Sequence, residues 1–156
     1  MTGWGRGREE ILGMLQRREL TQVVADDKLA ERMIETARRH LASAELLAAS
    51  DPHLAYSALH DAVRKALAAL LQTQGLRATT AGGHLAVQQA AKAQFGSSMG
   101  GILRPVDRIR ITRHESEYPT AGTWIDEDTV RDDLPAALAV VDAAEKALPH
   151  LSPFVT

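Results

Sequence analysis

Hydrophobic residues recur along most of the chain at three- and four-residue steps, the period of an amphipathic helix. Leu29, Met33, Ala37, Leu41, Ala44 and Leu47 form one such stripe, with Arg32, Glu35, Arg38, Arg39 and Glu45 on the other face. Asp26-Asp27 supplies a cap, so the spacing predicts a helix from there to about Ser50. Asp51-Pro52 opens the next helix, with proline at its first position, and Gly75 closes it just beyond Gln74. Tyr56, Leu59, Val63, Ala66, Leu67, Leu70 and Leu71 make this helix apolar over much of its circumference, which places it centrally. A short helix over residues 8–20 precedes these, carrying Ile11, Leu12, Leu15 and Leu20.

Ala81-Gly82-Gly83 reads as a turn, and His84–Phe95 as a short helix broken again at Gly96 and at Gly100-Gly101. A further helix begins near Arg104-Pro105 and ends at or before Tyr118, because Pro119 disfavours a helical residue ahead of it. Residues 119–125 form a loop. Asp126-Glu127-Asp128 starts the last helix, with Val130, Leu134, Leu138, Val141 and Leu148 as its stripe and Pro135 as a kink or as its true start. The expected fold is all-α, an up-and-down bundle of five or six helices, with residues 1–25 as a short N-terminal helix and connection and 26–150 as the bundle. Trp4 and Trp124 are expected to be packing anchors.

Composition sharpens this picture. Twenty-six alanines against two each of Trp, Tyr and Phe favour helices over a sheet core. Eighteen basic and twenty acidic side chains give a net charge of −2, so no overall field draws the surface to nucleic acid or anionic lipid. The absence of cysteine excludes disulfides, thiol nucleophiles and thiolate metal sites. The six histidines form no close metal-binding pair, so neither a metal nor a cofactor is expected. His60 is expected in the core or an interface, His84 as a cap or buried hydrogen-bonding group, and His40 and His53 facing solvent. No apolar run reaches membrane-spanning length and no signal peptide is visible, so a cytoplasmic protein is expected.

One stretch departs from ordinary bundle composition. Residues 104–114 hold Arg104, Arg108, Arg110 and Arg113 against the single acid Asp107, with His114 beside them. At about 100° per residue, Arg110 and His114 share a face that Glu117 continues, whereas Arg113 follows Val106 and Ile109 on the apolar stripe. An arginine on a core stripe needs an anion or a cleft. Two readings stay open: a phosphate site, with the hydroxyl of Tyr118 at the helix end, or internal pairing with the acids between Asp126 and Asp133.

These features together resemble the HEPN-domain family. Tyr56-Ser-Ala-Leu-His-Asp-Ala-Val-Arg-Lys-Ala-Leu-Ala-Ala-Leu-Leu71 is similar to the family's long central helix. Gln74-Gly75-Leu76-Arg77 and Gly82-Gly83-His84 resemble the turn and the next helix start, and Arg108 to Pro119 the late helix bearing its arginine motif. The likeness spans roughly residues 26–147 and is strongest to members of actinobacterial type, whose motif reads Arg-Asn-x-x-Glu-Tyr; here it is Arg113-His114-Glu-Ser-Glu117-Tyr118.

The resemblance implies a metal-independent endoribonuclease whose motif, Arg followed after four to six residues by His, meets its copy across a homodimer interface. The arginine stabilises the scissile phosphate, and the histidine moves a proton as the ribose 2′-hydroxyl attacks. It therefore marks Arg113, His114 and Tyr118 as catalytic, Arg108 and Arg110 as phosphate-binding, and Glu117 as supporting. Counted from Arg113, the motif histidine is replaced by Tyr118, a weaker base at neutral pH. Counted from Arg108, His114 follows after five residues, but about 120° around the helix. The resemblance also implies RNA or a nucleotide as ligand and, in toxin–antitoxin members, a minimal nucleotidyltransferase that restrains the toxin. The alternative it leaves is a noncatalytic HEPN module that dimerises and binds a nucleotide or a partner protein.

Overall fold

The computed structural model describes residues 5–156, so Trp4 lies outside the described residues. Six helices carry the fold: α1 (Arg8–Gln16), α2 (Asp27–Leu47), α3 (Pro52–Gln72), α4 (Gly83–Leu103), α5 (Val106–Glu117) and α6 (Glu127–Ala147). The three acidic cap signals act as the sequence predicts. Asp26 accepts from the Leu29 amide at 2.9 Å, Asp51 from the Leu54 amide at 3.2 Å, and Asp126 forms a capping box with Thr129. Each cap satisfies a first-turn N–H that would otherwise lack a partner.

Helix α3 is the axis of the molecule. Tyr56, Leu59, Ala62, Val63, Ala66, Leu67, Leu70 and Leu71 are all buried, and α2, α4, α5 and α6 pack around it. Ile11, Met14 and Leu20 of the N-terminal segment join the same core. The C-terminal tail returns to the end of α3, where the Phe154 amide donates to the Gln74 carbonyl at 2.8 Å and Arg8 covers the Phe154 ring. Beside it the buried amides of Gln74 and Gln94 exchange hydrogen bonds at 2.8 and 2.9 Å, tying α3 to α4.

Four features differ from the sequence expectation. The first helix stops at Gln16; Arg18 takes a positive φ of 59°, and Leu20–Gln22 forms β1, paired antiparallel with β2 (Leu76–Ala78), Leu20 opposite Ala78. Burial of Leu20 and Leu76 drives this pairing, and Gly75, at φ 75°, allows it, since a Cβ there would meet the Val23 carbonyl at 2.7 Å. Helix α4 runs through Gly96, Gly100 and Gly101 to Leu103, bent at Met99 (φ −125°, ψ 21°). Each glycine costs about 1 kcal/mol relative to alanine, and burial of Ala90, Ala91 and Phe95 in the preceding turns outweighs it. Helix α6 starts at Glu127, as its acidic cap predicts, and continues through Pro135, which is therefore not its start. Trp124 is 81% exposed on the loop before α6, where its side chain bonds Asp126, so it is not a buried packing anchor.

Candidate functional site

Helix α5 is held to the core by Val106 and Ile109, and one turn on the same stripe delivers Arg113. Ser116 is buried beside it, 2.6 Å from His53 Nδ1, which fixes the end of α5 to the start of α3. The arginines of α5 therefore leave the helix in three directions.

Arg108 turns toward α6 and forms a two-pronged pair with Asp133, at 2.7 and 2.8 Å. The same carboxylate accepts from the Tyr56 hydroxyl at 2.6 Å. Burial alone would push Asp133 upward, but the Arg108 and Tyr56 hydrogen bonds outweigh it and hold the carboxyl below its usual range. Burial, then the Asp133 charge and hydrogen bond, pushes the Tyr56 phenol up, so it stays protonated as a donor. Arg110 pairs with Asp107 at 2.9 Å, and Asp107 also accepts from Gln88 of α4 at 3.0 Å.

Arg113 binds Glu117 at 2.7 Å with one terminal nitrogen, while its Nε, buried, makes no hydrogen bond. It faces a cluster built from three helices. His60 and Arg64 stand one turn apart on α3, and His84 opens α4, its ring stacked on His60 with centroids 5.6 Å apart and planes at 19°. Burial first, then the positive charge of Arg113, pushes the His60 imidazole down to about 4, so it is neutral near pH 7. Burial, then Arg64 and Arg113, lowers His84 in the same direction. Asp61 opposes these effects from 4.0 Å off His60 Nδ1 and 3.6 Å off Arg64 Nε, beyond hydrogen-bond distance of either.

The result is a cluster of two guanidinium groups and two imidazoles, offset by Asp61 and Glu117, with buried nitrogens left without partners. His60 Nδ1, Arg64 Nε and Arg113 Nε are buried side-chain polar atoms without a hydrogen-bond partner. Such atoms are uncommon, because an unpaired buried donor costs about 1–3 kcal/mol. Beside His60 and Arg64 lies a dimple of about 10 Å³ lined also by His84, Gln88 and Arg110, and Arg113 is not among its lining residues. Two guanidinium groups and two imidazoles around one recess can bind an oxyanion, and a neutral imidazole can also accept a proton.

Of the residues singled out in the sequence, Arg110 lines the dimple, and Arg113, with Glu117 as its carboxylate partner, acts on His60 and His84 through its charge. Arg108 is directed away, into the Asp133–Tyr56 network. His114 and Tyr118 form a ring pair at 5.0 Å on the exposed end of α5, where Tyr118 is 67% exposed. His60 is buried as expected, whereas His84 is exposed and Gly82, without a side-chain bond, caps α4. His53 is exposed as expected; His40 is half-buried, 2.9 Å from Lys65 Nζ. Arg64, His60 and His84 were not foreseen as site residues. The spacing of His60 and Arg64 by four, on one face of the central helix, is the trace they leave in the sequence.

Among the described residues no group of three or more His, Cys, Asp or Glu side chains is placed to hold a metal ion, and no helix is long and apolar enough to cross a membrane. Comparison with known proteins adds the family. The model of the HEPN domain matches residues 30–147, a span that contains all three helices of the site. Searches of curated proteins and of solved structures gave no match. By its sequence match over most of its length and by its helical bundle, the chain belongs to the HEPN-domain family, a family of RNase and nucleotide-binding modules.

Proposed function

We propose that this HEPN chain acts on RNA, gripping a phosphate where Arg113 meets His60, Arg64 and His84. The observation that carries the reading is that buried nitrogens of His60, Arg64 and Arg113 lack hydrogen-bond partners where the charges of Arg64 and Arg113 act on the stacked His60 and His84. Phosphate oxygens accept from guanidinium forks more strongly than neutral acceptors do, and they supply the partners these nitrogens lack. Cleavage by the RNA's own 2′-hydroxyl requires a cation on the phosphate and a group to take a proton. Arg113 and Arg64 fill the first role and a neutral imidazole the second. In a homodimer, two exposed α5 ends would bring the His114–Tyr118 pair of each protomer to the groove of the other. A minimal nucleotidyltransferase is the partner proposed to restrain such an RNase, with exposed Tyr118 as the residue it would modify.

A second reading, a module that binds RNA or a nucleotide without cutting it, draws on a different observation. Arg108, Arg110 and Arg113 each already hold a carboxylate of the same chain, which tempers the positive field a scissile phosphate would meet. One experiment separates the two. Purified protein and an Arg113→Ala variant are incubated with total RNA in EDTA, and binding of a labelled oligonucleotide is followed by anisotropy. The RNase reading expects cleavage by the wild type alone. Roughly tenfold weaker binding by the variant, with RNA intact in both, leaves the noncatalytic module. No binding by the wild type removes both.

A further inference from the structure

We propose that the cavity in the elbow between α4 and α5 binds a small organic monoanion, a carboxylate carried on a compact apolar body such as a branched-chain or aromatic acid. This site stands apart from the phosphate reading above and does not depend on it. Helix α4 bends at Met99, runs on to Leu103 and turns through Arg104-Pro105 into α5. Between the two helices, over Leu67 of α3, lies a cavity of about 330 Å³, at the lower end of the range for small-molecule pockets.

The cavity surface divides by chemistry. Leu67, Ala91, Leu103 and Val106 give it an apolar lining that suits a hydrocarbon body and offers nothing to a bare inorganic anion. Lys92 and Arg104 supply two cations, and among the described residues neither makes a hydrogen bond or an ion pair. Asp107 lies on the same rim, and its carboxylate already accepts from Gln88 and Arg110. Two cations against one acid leave a surplus of one positive charge, which a monoanion matches; a second negative charge would meet Asp107. A carboxylate gives the Arg104 fork two oxygens in one plane, and the Lys92 ammonium adds a point charge.

Two glycines keep this space open. Gly96 and Gly100 stand one turn apart on α4 and line the cavity, and neither has a positive φ. A Cβ at Gly96 would meet only Lys92 Cγ, at an ordinary 3.7 Å, and a Cβ at Gly100 would meet nothing within 4 Å. Neither backbone geometry nor close packing calls for glycine at these positions, although glycine is among the poorest residues inside a helix. What larger side chains there would remove is the cavity.

The test titrates the intact protein with phenylacetate and with isovalerate and follows the amide NMR signals of Gly96, Gly100 and Gly101. Acetate lacks the apolar body, phenylethanol lacks the charge, and inorganic phosphate has charge without a body; these are the controls. At least one of the two acids should saturate with a Kd below about 1 mM, and every control should bind roughly tenfold more weakly or not at all. Lys92→Gln and Arg104→Gln, both at exposed positions, should each weaken binding roughly tenfold. Gly100→Leu should fill the cavity and abolish binding, whereas Gly100→Ala should raise the melting temperature and keep it. If Gly100→Leu fails to fold, the two charge variants decide. The proposal is overturned if neither acid gives a saturable shift, if any control matches the acids, or if binding survives the loss of both cations.

Discussion

Two arginine clusters flank α5, and they are built on opposite terms. In the first, Arg108 presents two nitrogens to the two oxygens of Asp133, and the Tyr56 hydroxyl completes the carboxylate from α3. In the second, Arg113 holds Glu117 with one terminal nitrogen, buried nitrogens of Arg113, Arg64 and His60 lack hydrogen-bond partners, and Asp61 stays out of hydrogen-bond range of His60 and Arg64. The first is saturated and joins α3, α5 and α6. The second leaves buried nitrogens without partners and keeps the His60 imidazole neutral well below its ordinary titration range. A buried network stabilises or specifies a fold when every member is satisfied; left partly unsatisfied, it costs energy until an outside group completes it. The difference separates a structural staple from a binding site made of the same residue types on the same helix.

The sharpest way to break the comparison is to remove the acid of the saturated cluster. Asp133→Ala leaves the buried Tyr56 hydroxyl without its acceptor and frees Arg108. The expected loss is about 1–3 kcal/mol, from the stranded Tyr56 hydroxyl, because Arg108 is 57% exposed and turns to solvent; it reads as a lower urea midpoint, with RNA binding by the remaining folded protein unchanged. A loss under about 1 kcal/mol would show that the network is no staple.

The second cluster should reveal itself through pH. His60 titrates at about 4 in the folded chain and near 6.5 when unfolded, so below pH 6.5 the unfolded state takes up the proton and the folded state does not. Stability should fall as pH drops from about 6.5 to 4, by about 3 kcal/mol from His60, with His84 and His40 adding in the same direction. His60→Asn should flatten this window, as measured by thermal melts between pH 7 and 4. Inorganic phosphate should protect the wild type in the same window. A melting temperature independent of pH there would contradict the burial of His60.

Much of the fold was legible because its signals are local. Asp26, Asp51 and Asp126 announce their helices within four residues, and the broad apolar surface of α3 marks it as central. The end of α5 at Tyr118 follows from Pro119. The errors arose where tertiary packing overrides local preference: glycines carried inside α4, and a three-residue strand held by Leu20. The site divides similarly. Periodicity alone aims Arg113 inward, and the acids of 126–133 include the partner of Arg108, although Asp126 is used as a cap and Glu127 pairs with Arg131. His60, Arg64 and His84 come from two other helices, and nothing in their local sequence states that they meet Arg113. Saturation is a property of assembled geometry, so composition could not tell the staple from the recess.

The smallest expected effect is also the most discriminating. Among the described residues Arg64 ion-pairs only with Asp61, at 3.6 Å, and its side chain is 29% exposed. A loose pair of that kind between residues three apart on a helix contributes about 0.2–0.5 kcal/mol. Arg64→Gln also removes one unpartnered buried donor and one positive charge that lowers both histidines. The loss from the ion pair is at most about 0.5 kcal/mol and relief of the unpartnered nitrogen opposes it, so stability should hold or rise, and His84 should titrate at a higher pH by NMR. An arginine whose loss leaves the fold untouched while weakening phosphate binding is held there for a ligand. If Arg64→Gln instead destabilised the chain as strongly as Asp133→Ala, both clusters would be staples, and the contrast between them would vanish.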